Sequence, residues 1–387
     1  MSYATGRIYL DADSHLMERP DFLRDYATSD IKNRLSPING GPQDKNNIDW
    51  LTVVSQPGHP PEKVAEMRAM GADLIAGPKG YLALGAFNAD ERIHALDQLG
   101  FNQQLVFATF SPLHALQEKD VNLKYGAAAA HNRAMADFCR SDPRLLGVGI
   151  VPLDDPNRAI AELNKLIELD LRATWVAHDD CGGRSPGHND FDPFWAALAE
   201  AGVPFVLHVG GKNLQLDTAW MNTGRPTPTD WLGGGENVRS KDATVMHQPP
   251  ETFISMMIMD GVFARHPKLR GAAVELGAGW VPEMLRRLDD ITKVYSRVDE
   301  SIRFDRKPSE QLTQQMGFTP FPHENVARLI DDSNSELYLF SSDYPHVEGG
   351  RDPLKKFGGY LADRPEEVQS KFYAENFLRL WPEARVS

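Results

Sequence analysis

An alternation constrains this chain more than anything else in it. Short apolar runs recur at 7–13, 103–110, 145–153, 172–179, 203–211, 271–277, 311–320 and 336–343, with helical spacing between them. The weakest is "LTQQMGFTPF" (311–320). Runs rich in Val, Leu and Ile suit strands of a parallel sheet covered on both faces. Helix signals fall between them. "DPNRAIAELNKLIEL" (155–169) opens on Asp and Pro and carries apolar residues at helical spacing, and "NLKYGAAAAHNRAMADFCRS" (122–141) is rich in Ala. Eight strand–helix units predict an α/β chain folded as a (β/α)8 TIM barrel rather than an open doubly wound sheet. No G-x-G-x-x-G follows the first strand, which removes the main support for a dinucleotide fold. Residues 1–387 read as one such domain, with long insertions after strands one and five.

In a (β/α)8 barrel the active site lies at the C-terminal ends of the strands, so the polar residues found there are informative. Strand one runs into "DADSH" (11–15). Its alternate positions Asp11, Asp13 and His15 would share a face. Strand four ends in His178, strand five in His208, strand six carries Glu275, and strand eight ends in Asp343 and His346. Each has a plain structural reading: a solvated imidazole, a helix cap for Asp343, a rim contact for Asp11. Glu275 within an apolar run is harder to place that way, because a buried carboxylate needs a partner. In a barrel these side chains converge. Their carboxylates would repel one another without a cation, and imidazoles are natural ligands of a divalent ion.

Bulk composition excludes several classes. With 54 acidic against 41 basic side chains and a net charge of -13, the chain lacks the basic surface that nucleic acid requires. Its two cysteines, Cys139 and Cys181, form no CxxC motif and fit a reduced interior. No apolar run approaches the roughly 20 residues of a membrane span, and no secretory signal is visible, so a cytoplasmic enzyme without a membrane partner is expected.

The segments "DADSHLMERP", "RLLGVGIVPLDDPNRAIAEL", "GVPFVLHVGG", "FARHPKLRGAAVELGAGWVPEMLRRLD" and "SSDYPHVEGG" together resemble the amidohydrolase superfamily. The nearer likeness is to its amidohydrolase-related branch, which includes aminocarboxymuconate-semialdehyde decarboxylase, the non-oxidative aromatic-acid decarboxylases and certain carbon–carbon hydrolases. The resemblance implies one divalent metal ion, Zn2+ or Mn2+, held by Asp13, His15, His208 and Asp343. It makes Asp343 the general base and gives His178 and Glu275 positioning or proton-shuttling roles. His346 would support the site or touch substrate, and Asp11 would be structural. Two positions depart from the family pattern. Asp13 stands where the first His of His-x-His is usual, and Glu275 stands where the decarboxylases usually present His. The expected activity is metal-dependent hydrolysis of a small carbonyl or carboxylate compound through a metal-activated water, with non-oxidative decarboxylation as the alternative. A non-catalytic metal site fits less well, since it would not need an open mouth ringed with polar groups. The segment 211–250 carries Trp220, Trp231 and a "GGG" run (233–235). It reads either as a lid, with Trp220 on the substrate, or as an interface of the homodimer usual in the branch.

Overall fold

The computed structural model describes residues 2–40, 49–210, 216–226 and 239–384. Seven parallel strands lie side by side in sequence order: β1 (Leu10–Leu16), β2 (Gln103–Ala108), β3 (Leu145–Ile150), β4 (Ala173–Trp175), β5 (Phe205–His208), β6 (Gly271–Val274) and β7 (Met316–Phe318). The segment 337–344 lies between β7 and β1. Phe318 N–H donates to Leu337 O (2.8 Å) and Leu339 N–H to Phe318 O (2.9 Å). On the other side Ala12 N–H donates to Phe340 O (3.0 Å), His15 N–H to Tyr344 O (2.7 Å) and Asp343 N–H to Asp13 O (2.8 Å). The sheet is thus curled and TIM-barrel-like.

The expected eighth strand forms only isolated bridges, at Tyr338 and Tyr344. The reason is local. Asp343 adopts φ +53°, a left-handed conformation that an extended ladder does not accommodate. Glu275, also at φ +53°, ends β6 at Val274, three residues short of the expected 277. β1 runs three residues later than expected, and its register against β2 shifts between Asp11 and Ser14. In the weak region 311–320, a helix Pro308–Gln315 comes first and only Met316–Phe318 is strand.

Every strand residue is buried, as a sheet covered on both faces requires. One apolar cluster fills the interior with Leu105, Phe107, Val148, Trp175, Val206 and Val274. A second lies between strands and helices, around Val106, Leu163, Trp195, Leu207 and Phe263. The helices start where side-chain caps allow. Asp155 accepts from Asn157 N (2.9 Å) and Arg158 N (3.2 Å) ahead of Pro156–Glu168, and Asn88 accepts from Glu91 N (2.8 Å) ahead of Ala89–Leu99. Residues 17–102 separate β1 from β2, and residues 209–270 separate β5 from β6. Trp231 and the run 233–235 lie outside the described residues. Among the described residues no helix is long and apolar enough to cross a membrane.

Candidate metal centre

Asp11 comes first, because it locks the closure on which the site stands. Its Oδ1 accepts from Ser342 N (2.7 Å) and Asp13 N (3.3 Å), and its Oδ2 from Ser342 Oγ (2.6 Å) and Gln104 Nε2 (2.6 Å). Burial pushes its pKa up to about 7, although these bonds pull the other way. Asp11 therefore joins β1, β2 and the 337–344 segment, the structural role expected of it.

One step toward the mouth, Asp13, His15, His208 and Glu275 converge, all buried, with ligand atoms within 4.8 Å of one another. His15, Glu275, Asp343 and His346 make an overlapping set within the same limit. His15 Nε2 lies 3.1 Å from Asp13 Oδ1, 3.5 Å from Glu275 Oε2 and 3.6 Å from Asp343 Oδ1. His208 Nε2 lies 3.5 Å from Asp13 Oδ1 and 3.4 Å from Glu275 Oε2. Of the expected ligands, Asp13, His15 and His208 fall in the first group and Asp343 in the second, 3.6 Å from His15 Nε2. Glu275 belongs to both groups, and His346 joins the second.

Second contacts orient these rings. His208 Nδ1 is 2.9 Å from Val209 O, so this nitrogen donates and Nε2 faces the cluster. His346 Nε2 is 3.0 Å from Thr109 Oγ1, whose own proton goes to Leu16 O at 2.8 Å. His346 therefore donates to Thr109, and its Nδ1 faces Asp343 Oδ1 at 3.1 Å. Phe107 and Trp175 close against the His208 ring, at 4.4 and 4.7 Å between centroids.

The two carboxylates with resolved shifts are pushed apart. Burial opposes ionisation of Asp13, but His15 and His208 beside it prevail and hold its pKa below the usual range. Burial raises Asp343 despite His346 and His15. Glu275 and Asp343 also share an unusual backbone, both in the left-handed region that side chains rarely enter without support. Glu275 N–H is held by Thr319 Oγ1 (2.9 Å). Three acceptor-rich carboxylates and three imidazoles facing one another in a buried space form a mixed O/N donor set that suits a divalent cation.

His178 is buried but belongs to neither set; it lines a cavity formed with the chain after β5. Trp220, on the short helix Thr218–Met221, is 72% exposed and is not brought to the cluster. Sequence reasoning missed Thr109, although a polar residue at the end of β2 satisfied the rule used for the other strands. It also missed Arg92, which is fully buried, donates from Nη1 to His15 O (3.0 Å) and lies 5.3 Å over the Tyr344 ring. Nothing in the local pattern of helix Ala89–Leu99 marks it.

A fold and centre of this kind define a class of metal-dependent barrel enzymes, and the comparisons agree. The amidohydrolase family model matches residues 57–382, and the chain belongs to that family, in its amidohydrolase-2 branch. Its similarity runs toward aromatic-acid decarboxylases. It is 27% identical over 270 residues to gamma-resorcylate decarboxylase of Rhodococcus jostii, covering 66% of this chain and 77% of that protein. An amidohydrolase of Mycobacterium avium subsp. paratuberculosis shares the fold at TM-score 0.73 and 23% identity, covering 98% of this chain and 100% of that one. A dihydroxybenzoic acid decarboxylase of Polaromonas, solved with manganese and 2-nitroresorcinol, shares it at TM-score 0.62 and 15% identity, covering 98% of each chain.

Proposed function

We propose that this protein is a manganese- or zinc-dependent non-oxidative decarboxylase of a hydroxylated aromatic acid, built as a complete eight-unit barrel with its long connections over the mouth. The observation that carries the reading is the buried cluster of Asp13, His15, His208, Glu275, Asp343 and His346, in a chain whose curated relatives include gamma-resorcylate decarboxylases. The same relatives favour decarboxylation over the hydrolysis first expected from the sequence.

When bound, the metal would supply a positive charge that holds the substrate's oxygens and stabilises charge developing on the ring. Asp13, His15, His208 and Glu275 would hold it. The remaining steps belong to this chain's own residues. Asp343, whose ionisation burial disfavours, acts as the proton donor and delivers a proton from its carboxyl oxygen to the ring carbon bearing the carboxylate. The bond to the carboxylate then breaks, its electron pair restores the aromatic ring, and carbon dioxide leaves. His346, braced by Thr109, steadies Asp343. His178 orients the substrate, and Phe107 and Trp175 exclude water beside His208. The same Asp343 could take a proton from water in a hydrolase, so product analysis is the test. Manganese-loaded protein is incubated with 2,6-dihydroxybenzoate and other ortho-hydroxybenzoates. Carbon dioxide and the matching phenol are expected. Turnover of esters or amides, with no carbon dioxide from any acid, would overturn the reading.

A further inference from the structure

Beside His178 lies a cavity of about 570 Å³, within the roughly 300–1,000 Å³ range of small-molecule sites. It opens between the chain leaving β4 (178–186) and the chain between β5 and β6 (216 and 245–256). Its apolar wall is made by Pro186, Leu216, Val245, Met246, Pro249, Phe253 and Met256. Met246 and Phe253 are buried, and Met256 is a large apolar side chain left 39% exposed. We propose that this cavity is a substrate subsite that takes an apolar, uncharged substituent, an alkyl chain or a second ring, carried by the acid decarboxylated at the metal centre. The inference rests on the decarboxylase reading and names its substrate class more narrowly.

Charge settles the class of occupant. Asp180 stands in the lining and would repel a second carboxylate. The one guanidinium in the lining, Arg184, is already engaged by Asp190 Oδ2 (3.2 Å) and Gly182 O (3.2 Å). Ser185 Oγ is engaged by Asp260. Apart from His178, Gln248 and Thr252, what remains to recognise a ligand is hydrocarbon, and two of the seven apolar side chains are methionines, which adapt to occupants of different shape. Position supplies the link to the chemistry. β4 ends at Trp175, whose ring packs on His208, and three residues later His178 forms the wall of the cavity.

The test measures binding and turnover separately. Phenols with alkyl chains from methyl to hexyl are titrated calorimetrically into the manganese-loaded protein, and the matching hydroxybenzoates are assayed for carbon dioxide. Each added methylene that enters the cavity should tighten binding about fourfold. Thr252→Trp should block the cavity and Met256→Asp should charge it. Both residues are exposed on helix Gln248–Met259, so the fold should survive, and both variants should flatten the chain-length dependence. A flat dependence in the unaltered protein, or a slope unchanged in both variants, would overturn the subsite. A slope in binding with no carbon dioxide from any acid would leave the subsite standing and refute the decarboxylase reading instead.

Discussion

Asp11→Ala should be among the most destabilising single substitutions in this protein, although Asp11 is not expected to touch metal or substrate. Its carboxylate receives the Ser342 backbone N–H, the Ser342 hydroxyl and the Gln104 amide, at 2.7, 2.6 and 2.6 Å. Alanine leaves these donors in a region where Gln104 and Ser342 are both wholly buried. An orphaned buried donor costs about 1–3 kcal/mol. The Ser342 hydroxyl can turn to another acceptor, and loss of the carboxyl also relieves the burden of burying it. A net loss of about 3 kcal/mol is therefore expected, a large part of the ~5–15 kcal/mol typical of a folded domain. Asp11→Asn keeps one acceptor oxygen for the Ser342 N–H and should fall between, at about 1–2 kcal/mol. Urea unfolding at fixed metal concentration, followed by tryptophan fluorescence, measures both. If Asp11→Ala unfolds within about 1 kcal/mol of the unaltered protein, these hydrogen bonds are not what closes the barrel.

Three further outcomes are expected. Asp343→Asn keeps the shape but cannot carry the transferred proton, so turnover should drop by ~10²–10⁴ and excess metal should not restore it; near-normal turnover in metal-replete protein would refute the mechanism. Purified protein should hold about one divalent ion per chain, and His208→Ala should lose most of it by elemental analysis, together with the metal-dependent rise in melting temperature. His131 is buried, and burial pushes its pKa down to about 3 from 6.5, so the native state refuses a proton that the unfolded chain accepts. Stability from this group is complete above about pH 6.5 and is lost as pH falls toward 3, by roughly 2 kcal/mol at pH 5. His131→Gln should remove that part of the acid sensitivity, as urea midpoints at pH 7 and pH 5 would show.

The parallel architecture was legible because strands buried on both faces must be apolar along their whole length, which marks them clearly in the sequence. The site was legible for a related reason: His15, His208, Glu275 and Asp343 interrupt such runs, and barrel geometry makes the ends of the runs meet. The division of labour among them was not. Whether Glu275 or Asp343 sits beside Asp13 depends on left-handed turns at both residues, and neither residue type requires such a turn. Strand eight read as apolar and extended, yet it joins its neighbours through isolated bridges rather than a continuous ladder, and that same turn ends it at Asp343. An aromatic residue in a long connection invites a binding role, and the sequence alone does not say how exposed it is; the fold leaves Trp220 72% exposed.

The closure of the sheet by 337–344 has a kinetic consequence. A ring of strands can breathe at a joint that lacks a continuous ladder, and this joint relies on isolated bridges, a few backbone bonds and one aspartate. Asp343 and His346 ride on the flap that such an opening would release. Departure of an ion from the centre and exchange of the Asp343 and Tyr344 amide hydrogens with solvent would then be two readings of one motion. The residence time of the ion would be set by the speed of that opening rather than by the strength of any single ligand bond.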